Sequence, residues 1–244
     1  MGLASAGDNV PFKTSLAGSA DGISLIPSGR VFTFFDDFLG ETTISETAGV
    51  ATYLTTVIEA GGGEGSAVMN DVAGGGLLIT TDAAATDSTV VTTNPEVFSF
   101  SATKRFEMEF SFQAEDDDLG IFLGLGEGLL FGVDGVTLRE DSHVGFLLEG
   151  DSVLTFSYGN TSGGNVTTDT AIAFVPAADT IVTAMYDGAG GWTAFVDGVA
   201  SAAITNTAAS HPDALMSVFL ALENSGVAAA QTMTVNYIYL RWEL

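Results

Sequence analysis

Lys104-Arg105-Phe106-Glu107-Met108-Glu109-Phe110-Ser111-Phe112-Gln113 is the stretch that decides the fold class. Side chains along an extended strand point alternately to opposite faces. Phe106, Met108, Phe110 and Phe112 therefore share one face; Arg105, Glu107, Glu109 and Ser111 share the other. The pattern predicts a half-buried β-strand with one apolar face and one wet, charged face. The rest of the chain repeats the theme in short runs rich in Thr, Val, Phe and Ile, cut by Gly, Asp and Asn.

Working outward, strands are expected at 31–35, 51–58, 66–70, 77–81, 97–101, 119–124, 129–133, 136–139, 143–149, 153–158, 165–174, 180–187, 192–197, 199–204, 215–222 and 231–242. No long stretch carries a 3.6-residue period, so one turn of helix near Pro212 is the most that is expected. Asp134-Gly135 and Asp197-Gly198 each separate two such runs, and Asp-Gly supplies the positive φ of a two-residue hairpin turn. Asp187-Gly188-Ala189-Gly190-Gly191 is a looser connection between the strands on either side. Residues 215–222 and 233–242 are apolar on both faces, which predicts a second cover such as a loop layer or a subunit interface. In 233–242 the alternation groups Val235, Tyr237 and Tyr239 against Ile238, Leu240 and Trp242. Many strands at short spacing without helices predict an all-β antiparallel sandwich or jelly roll.

Composition narrows the function. The chain has 244 residues, 46% of them hydrophobic, which suits one large core. Only 6 Lys and Arg stand against 31 Asp and Glu, a formal charge of −25. Nucleic acid and anionic membrane surfaces, both negatively charged, are excluded as expected partners. There is no cysteine, so disulfides, thiolate metal sites and a cysteine nucleophile are absent. The start, Met1 to Asp8, lacks a basic region and a long apolar run, and no signal peptide is expected. Residues 1–30 are small and polar, with scattered apolar positions at Val10, Phe12, Leu16, Ile23, Leu25 and Ile26. Two readings stand for them: a loose terminus, or an extended arm whose six apolar residues contact a neighbouring subunit or shell. The expected division is an arm at 1–30 and a β-sandwich domain at 31–244.

No motif announces catalysis. The phosphate-loop triplet, the nucleophile-elbow pattern and a complete dinucleotide fingerprint are all missing. His143 and His211 lack the spacing of a zinc helix, and read as a strand residue and a loop residue. Glu107 and Glu109 share a strand face with Cα atoms roughly 6–7 Å apart, within range of a sugar-cleaving pair. The plain alternative is solvated charge, partly neutralised by Arg105. Glu115-Asp116-Asp117-Asp118 reads as a solvated turn, with Ca²⁺ as the other reading, and lacks an EF-hand spacing. Trp192, Tyr186 and Tyr158 are either sugar-stacking rings or core aromatics. No cofactor is expected and no metal ligand set is identified.

Val31-Phe32-Thr33-Phe34-Phe35-Asp36-Asp37-Phe38-Leu39-Gly40 resembles the opening of a set of bacteriophage virion proteins, where an Asp-Asp-Phe element follows a short arm. Tyr186-Asp187-Gly188, Gly191-Trp192 and Phe195-Val196-Asp197-Gly198 resemble a hairpin of concanavalin A-like lectin/glucanase sandwiches, and Val235 to Arg241 is similar to their closing core strand. The resemblance spans about 31–244. It implies a concanavalin A-like jelly roll and a non-enzymatic capsid decoration or cement protein. Such a protein binds the outer surface of the major capsid shell as a homotrimer, and is made in the host cytoplasm. Glucanases of this sandwich carry Glu-x-Asp-x-Glu; here Glu107-Met108-Glu109-Phe110-Ser111 lacks the central Asp and final Glu, so their hydrolysis is not carried over. The alternative is a carbohydrate-binding, lectin-like module of a fibre or tail, with glycoside hydrolysis behind it.

Overall fold

The computed structural model describes residues 31–38, 44–45, 53–58, 65–70, 75–83, 87–93, 96, 98–127, 131–132, 135–138, 141–150, 152–224 and 229–243. Residues 1–30, with the six apolar arm positions, lie outside them. The strands in chain order are β1 (Val31–Asp36), β2 (Ile44–Ser45), β3 (Tyr53–Ile58), β4 (Ser66–Met69), β5 (Leu77–Thr80), β6 (Ser88–Thr93), β7 (Phe98–Ser99), β8 (Phe106–Ala114), β9 (Gly120–Gly126) and β10 (Phe131–Gly132). They continue with β11 (Gly135–Leu138), β12 (His143–Glu149), β13 (Val153–Asn160), β14 (Gly164–Ala173), β15 (Thr180–Tyr186), β16 (Trp192–Val196), β17 (Val199–Ala200), β18 (Leu215–Glu223) and β19 (Thr232–Glu243).

Two sheets form a sandwich of the concanavalin A-like jelly-roll type. The first runs β17-β16-β15-β8-β19-β5-β4, with β1 also on β19. The second runs β14-β13-β12-β9-β18-β6-β3-β2, with β7 on β18. Every pairing is antiparallel except the short β2 against β3. β10 and β11 pair only with each other among the described residues. Phe131 faces Leu138, the register expected from a turn at Asp134-Gly135, but Gly132 faces Gly135, with a register shift between the two rungs. One short 3₁₀ turn, Ala208–Ser210, is the sole helical element described, where a turn was expected. Among the described residues no helix is long and apolar enough to cross a membrane.

β8 holds the centre of the first sheet between β15 and β19. Phe106, Met108, Phe110 and Phe112 all point into the core, each no more than 6% exposed. Across the gap lie Leu123 and Leu125 of β9, Phe146 and Leu148 of β12, and Val218, Leu220 and Leu222 of β18, in one continuous cluster. A fully buried Leu or Phe contributes roughly 1.5–3 kcal/mol relative to exposure, so this interior carries the fold.

Other local readings hold or shift for physical reasons. Val196 faces Val199 across Asp197 (φ 49°) and Gly198 (φ 75°), the doubly positive turn that Asp-Gly favours. Asp187 Oδ1 accepts from the amides of Ala189 (2.7 Å) and Gly191 (2.8 Å), which closes the looser connection before Trp192. β6, in the interior of the second sheet, was not expected; Ser-Thr-Val-Val-Thr-Thr has neither large apolar residues nor charges to mark its faces. The short β2 was also unexpected, and the strand expected at 199–204 stops at Ala200.

β18 is buried on both faces, as its sequence predicts. Its outer residues Phe219 and Ala221 form a second small cluster with Val90, Phe122 and Leu147. Close approach there depends on Gly145, where a Cβ would lie 2.6 Å from both the Leu123 carbonyl oxygen and the Phe122 ring. β19 differs from its sequence reading. A bulge between Val235 and Tyr237 resets the alternation. Met233, Val235, Ile238 and Leu240 all become fully buried, while Tyr237, Tyr239 and Arg241 share the outer, half-buried face.

Asp-Asp-Phe has a clear structural role. Asp36 Oδ1 accepts from the Phe38 amide (2.8 Å) and Oδ2 accepts from the Tyr53 hydroxyl (3.0 Å). Phe38 adopts φ 55° and buries its ring 5.7 Å from that of Tyr53. Since Tyr53 belongs to β3, this corner ties the second sheet to the end of β1 in the first.

Candidate functional site

The chemistry-bearing face is the outer side of the first sheet, built on β8, β15, β19 and β1. Residue by residue, Glu107 lies between Met185 of β15 and Arg241 of β19, and Glu109 lies between Thr183 and Tyr239. On the far side of β19, Thr33 is opposite Arg241 and Phe35 is opposite Tyr239. This is not the wet face that alternation predicts. Glu107 is 1% exposed and Glu109 2% exposed.

Glu109 is held as an acceptor on both oxygens: the Tyr237 hydroxyl donates to Oε1 (2.7 Å) and the Thr183 hydroxyl to Oε2 (3.1 Å). Glu107 is held differently. Burial pushes its carboxyl up to about 7; Arg241 opposes the shift and the neighbouring Glu109 adds to it. Its Oε2 is sealed from solvent and has no hydrogen-bond partner. Arg241 is therefore a cation that acts on Glu107. Arg105 turns its backbone to β19, exchanging bonds with Glu243. Burial also raises Tyr237 and Tyr239, the latter to about 12, with Glu109 and Glu107 respectively as the next cause.

The pair thus has the ingredients of acid–base chemistry: one carboxyl displaced toward neutrality beside one fixed by two donors. Access is what it lacks. A reacting atom must come within hydrogen-bond distance of the acid, and Glu107 Oε2 is enclosed in this conformation. What the surface offers is the rim above it: Phe35, 42% exposed, with its ring 6.2 Å from that of Tyr237. Asn236, the extra residue of the bulge, donates to Ser111 Oγ (3.2 Å) and Asp179 Oδ1 (3.3 Å) at one end of the rim.

The other sequence candidates do not join this face. His143 is fully buried in β12, its Nε2 2.9 Å from Ser157 Oγ and its Nδ1 2.8 Å from the Asp141 carbonyl. Burial drives it down to about 4, so it is neutral at pH 7. His211 follows the 3₁₀ turn and is ringed by Phe100, Tyr158 and Tyr186 at 5.2–5.5 Å. Burial lowers its pKa as well. Trp192, Tyr186 and Tyr158 are core aromatics, each at most 4% exposed. They cannot stack on a sugar without unfolding. In the acidic run, Asp116 Oδ1 caps the amides of Asp117 and Asp118, and Ser152 donates to Asp117 Oδ2. Among the described residues no group of three His, Asp or Glu side chains converges as a metal ligand set. The capsid or subunit contacts proposed for Val10, Phe12, Leu16, Ile23, Leu25 and Ile26 lie outside the described residues.

Sequence reasoning missed Arg241, Tyr237 and Thr183 as partners of the carboxylates. Only the apolar alternation of 180–187 and 231–242 pointed to strands able to flank β8.

No protein-family model matches the chain, and no curated protein sequence does. Solved structures do. A protein of unknown function from Shewanella oneidensis MR-1 aligns with a TM-score of 0.59 at 13% identity, over 88% of this chain and 87% of that one. The carbohydrate recognition domain of Emp47p aligns with a TM-score of 0.57 at 10% identity, over 88% and 97%. Peanut lectin with a 9mer peptide aligns with a TM-score of 0.52 at 14% identity, over 88% and 98%. At these identities the likeness is one of fold: the lectin-like sandwich.

Proposed function

We propose that this protein is a non-enzymatic structural protein of a bacteriophage virion, a decoration or cement protein on the outer surface of the major capsid shell. The observation that carries the reading is the placement of the phage-like stretch. Val31–Asp36 forms a strand on β19, and its Asp36-Phe38 corner locks onto the second sheet through Tyr53. A segment entering there is rooted in the rigid body. Phe32 and Phe35, 46% and 42% exposed, stand at that root. A large sandwich with sealed carboxylates suits adhesion better than bond cleavage. The charge of −25 keeps particles apart in solution. Homotrimeric assembly and a site on the assembled virion, after synthesis in the host cytoplasm, complete the proposal. The test is occupancy of purified capsids by intact protein, by protein lacking 1–30 and by a Phe32→Ala, Phe35→Ala double variant. Loss in both altered forms with an unchanged circular dichroism spectrum supports it; equal occupancy by all three sinks it.

A second reading, carbohydrate binding, is favoured by the Phe35, Tyr237 and Asn236 rim and by the two neighbours whose names describe a carbohydrate recognition domain and a lectin. Aromatic rings beside amide and carboxylate groups are what saccharides use. Trp192 is no longer the residue to test. A glycan array bound by the intact protein and lost on Phe35→Ala would favour this reading.

A further inference from the structure

We propose that residues 204–213 form an acid-released strap across one end of the sandwich, with the His211 ring as its plug. β17 ends at Ala200 in the first sheet and β18 begins at Leu215 in the second, so the chain between them crosses from one layer to the other. Thr205 to Ala209 are exposed, and the buried anchors of the strap are Ile204, Ser210, His211 and Pro212. Such a segment opens locally more easily than the strands around it. It is tied down by single hydrogen bonds. The Tyr158 hydroxyl donates to the Thr205 carbonyl (2.8 Å) and accepts from the Thr207 amide (2.8 Å). Asn160 Nδ2 donates to the carbonyls of Ala209 and His211. Ser210 Oγ donates to the Gly163 carbonyl (2.8 Å), and Ser142 Oγ donates to Asp213 Oδ1 (2.8 Å). Asn206 Oδ1 accepts from the Trp192 amide (3.1 Å). None of these ties is an ion pair.

The plug is chemically unsatisfied. His211 is 6% exposed, and neither of its ring nitrogens has a hydrogen-bond partner. Trp192 packs against the same Phe100, Tyr158 and Tyr186 rings at 4.9–5.8 Å and leaves its Nε1 unpartnered as well. A phenyl ring would fill the place of His211 without stripping water from two nitrogens. What the imidazole adds is a response to protons between pH 5 and 8. The groups around it can be named by element. β13 presents Tyr158 and Asn160, β15 presents Tyr186, and the segment before β8 presents Phe100. Burial raises both phenols, so they stay neutral. Asp213 is turned to Ser142, Asp141 acts on His143, and Asp187 is turned to the amides of Ala189 and Gly191. Burial alone acts on His211, and it lowers the pKa. Once the strap lifts, the ring meets water and titrates near its ordinary 6.5. The open form therefore takes up protons first as pH falls. The preference for closure is complete above 6.5 and is lost as pH falls from there toward the lower value of the seated ring. Opening bares Trp192, Tyr158 and Tyr186, the rings that the closed form withholds from any ligand.

The experiment is amide hydrogen exchange on the full-length protein at pH 7.5 and pH 5, corrected for intrinsic exchange, with β9 amides as the internal reference for global changes. The amides to follow are those of Thr207, Ser210, His211 and Asp213, which the seated strap holds in hydrogen bonds. Their protection relative to β9 should fall at pH 5 by roughly 3- to 30-fold, the upper figure reached only if the seated ring takes up no proton there. His211→Phe should raise strap protection at pH 7.5 and remove the response to acid, and His211→Leu should remove the response too. The other buried imidazole is separated by place. His143, driven down to about 4, belongs to the β12–β13 pair, so amides of those two strands are followed beside the strap. A fall confined to the strap supports the proposal. A strap that keeps its protection relative to β9 overturns it. So does a fall of equal size across β12 and β13, which would assign the response to His143, and so does a full response in whichever His211 variant folds.

Discussion

At the scale of single residues, Glu107 shows what the sequence says and leaves out. Alternation along β8 assigns it correctly to the face opposite Phe106 and Phe110. It predicts water there because a Glu on the outer face of a sandwich ordinarily meets water. The actual neighbours, Arg241 and Met185, come from strands far along the chain, and no local pattern announces them. The cost of burial gives a signed prediction. Folding raises the carboxyl from 4.5 to about 7, so the folded state binds the extra proton and stability falls as pH climbs through that window. Glu107→Gln should leave the melting temperature unchanged near pH 4 and raise it at pH 8, by an amount worth at most about 3 kcal/mol. Thermal unfolding of both proteins at the two pH values decides it; a variant less stable at pH 8 would refute the assignment. Phe38 makes the complementary case. Its ring is 4% exposed and its backbone sits at φ 55°. Phe38→Ala should cost about 3–5 kcal/mol in chemical denaturation, because the lost ring leaves a cavity beside Tyr53.

At the scale of elements, legibility depended on whether a strand kept its period. β9, β12, β15 and β16 fall close to their sequence-based bounds because apolar residues mark them without interruption. β19 also falls within a residue of its bounds, but its faces do not match the reading, since the extra Asn236 shifts every later side chain to the other face. One inserted residue is invisible to an alternation count that runs straight across it. β6 is missed for the opposite reason: its small β-branched residues suit a strand but carry no contrast between faces. Glycine matters where strands crowd. Gly145→Ala should destabilise the second sheet by roughly 1–3 kcal/mol, since backbone on β9 and the Phe122 ring both stand in the way of a methyl group. Urea titration is the check, and a neutral result would mean that β9 and β12 can part more easily than their register implies.

At the scale of the whole molecule, a net charge of −25 sits on a body whose apolar interior spans two full sheets. Self-repulsion weakens with ionic strength, because the screening length falls from about 30 Å at 0.01 M to about 8 Å at 0.15 M. The melting temperature should therefore rise with added salt over that range, and a fall would show that attractive pairs such as that of Arg241 outweigh the repulsion. The corner at Asp36 and Phe38 has a mechanical consequence. A pull on the first thirty residues would run lengthwise down β1, loading its rungs to β19 in parallel instead of unzipping them one by one. What remains of the tension would pass through the Tyr53 hydroxyl into the opposite layer, so the molecule would take strain as a moored hull does, with both planks fastened to the same cleat.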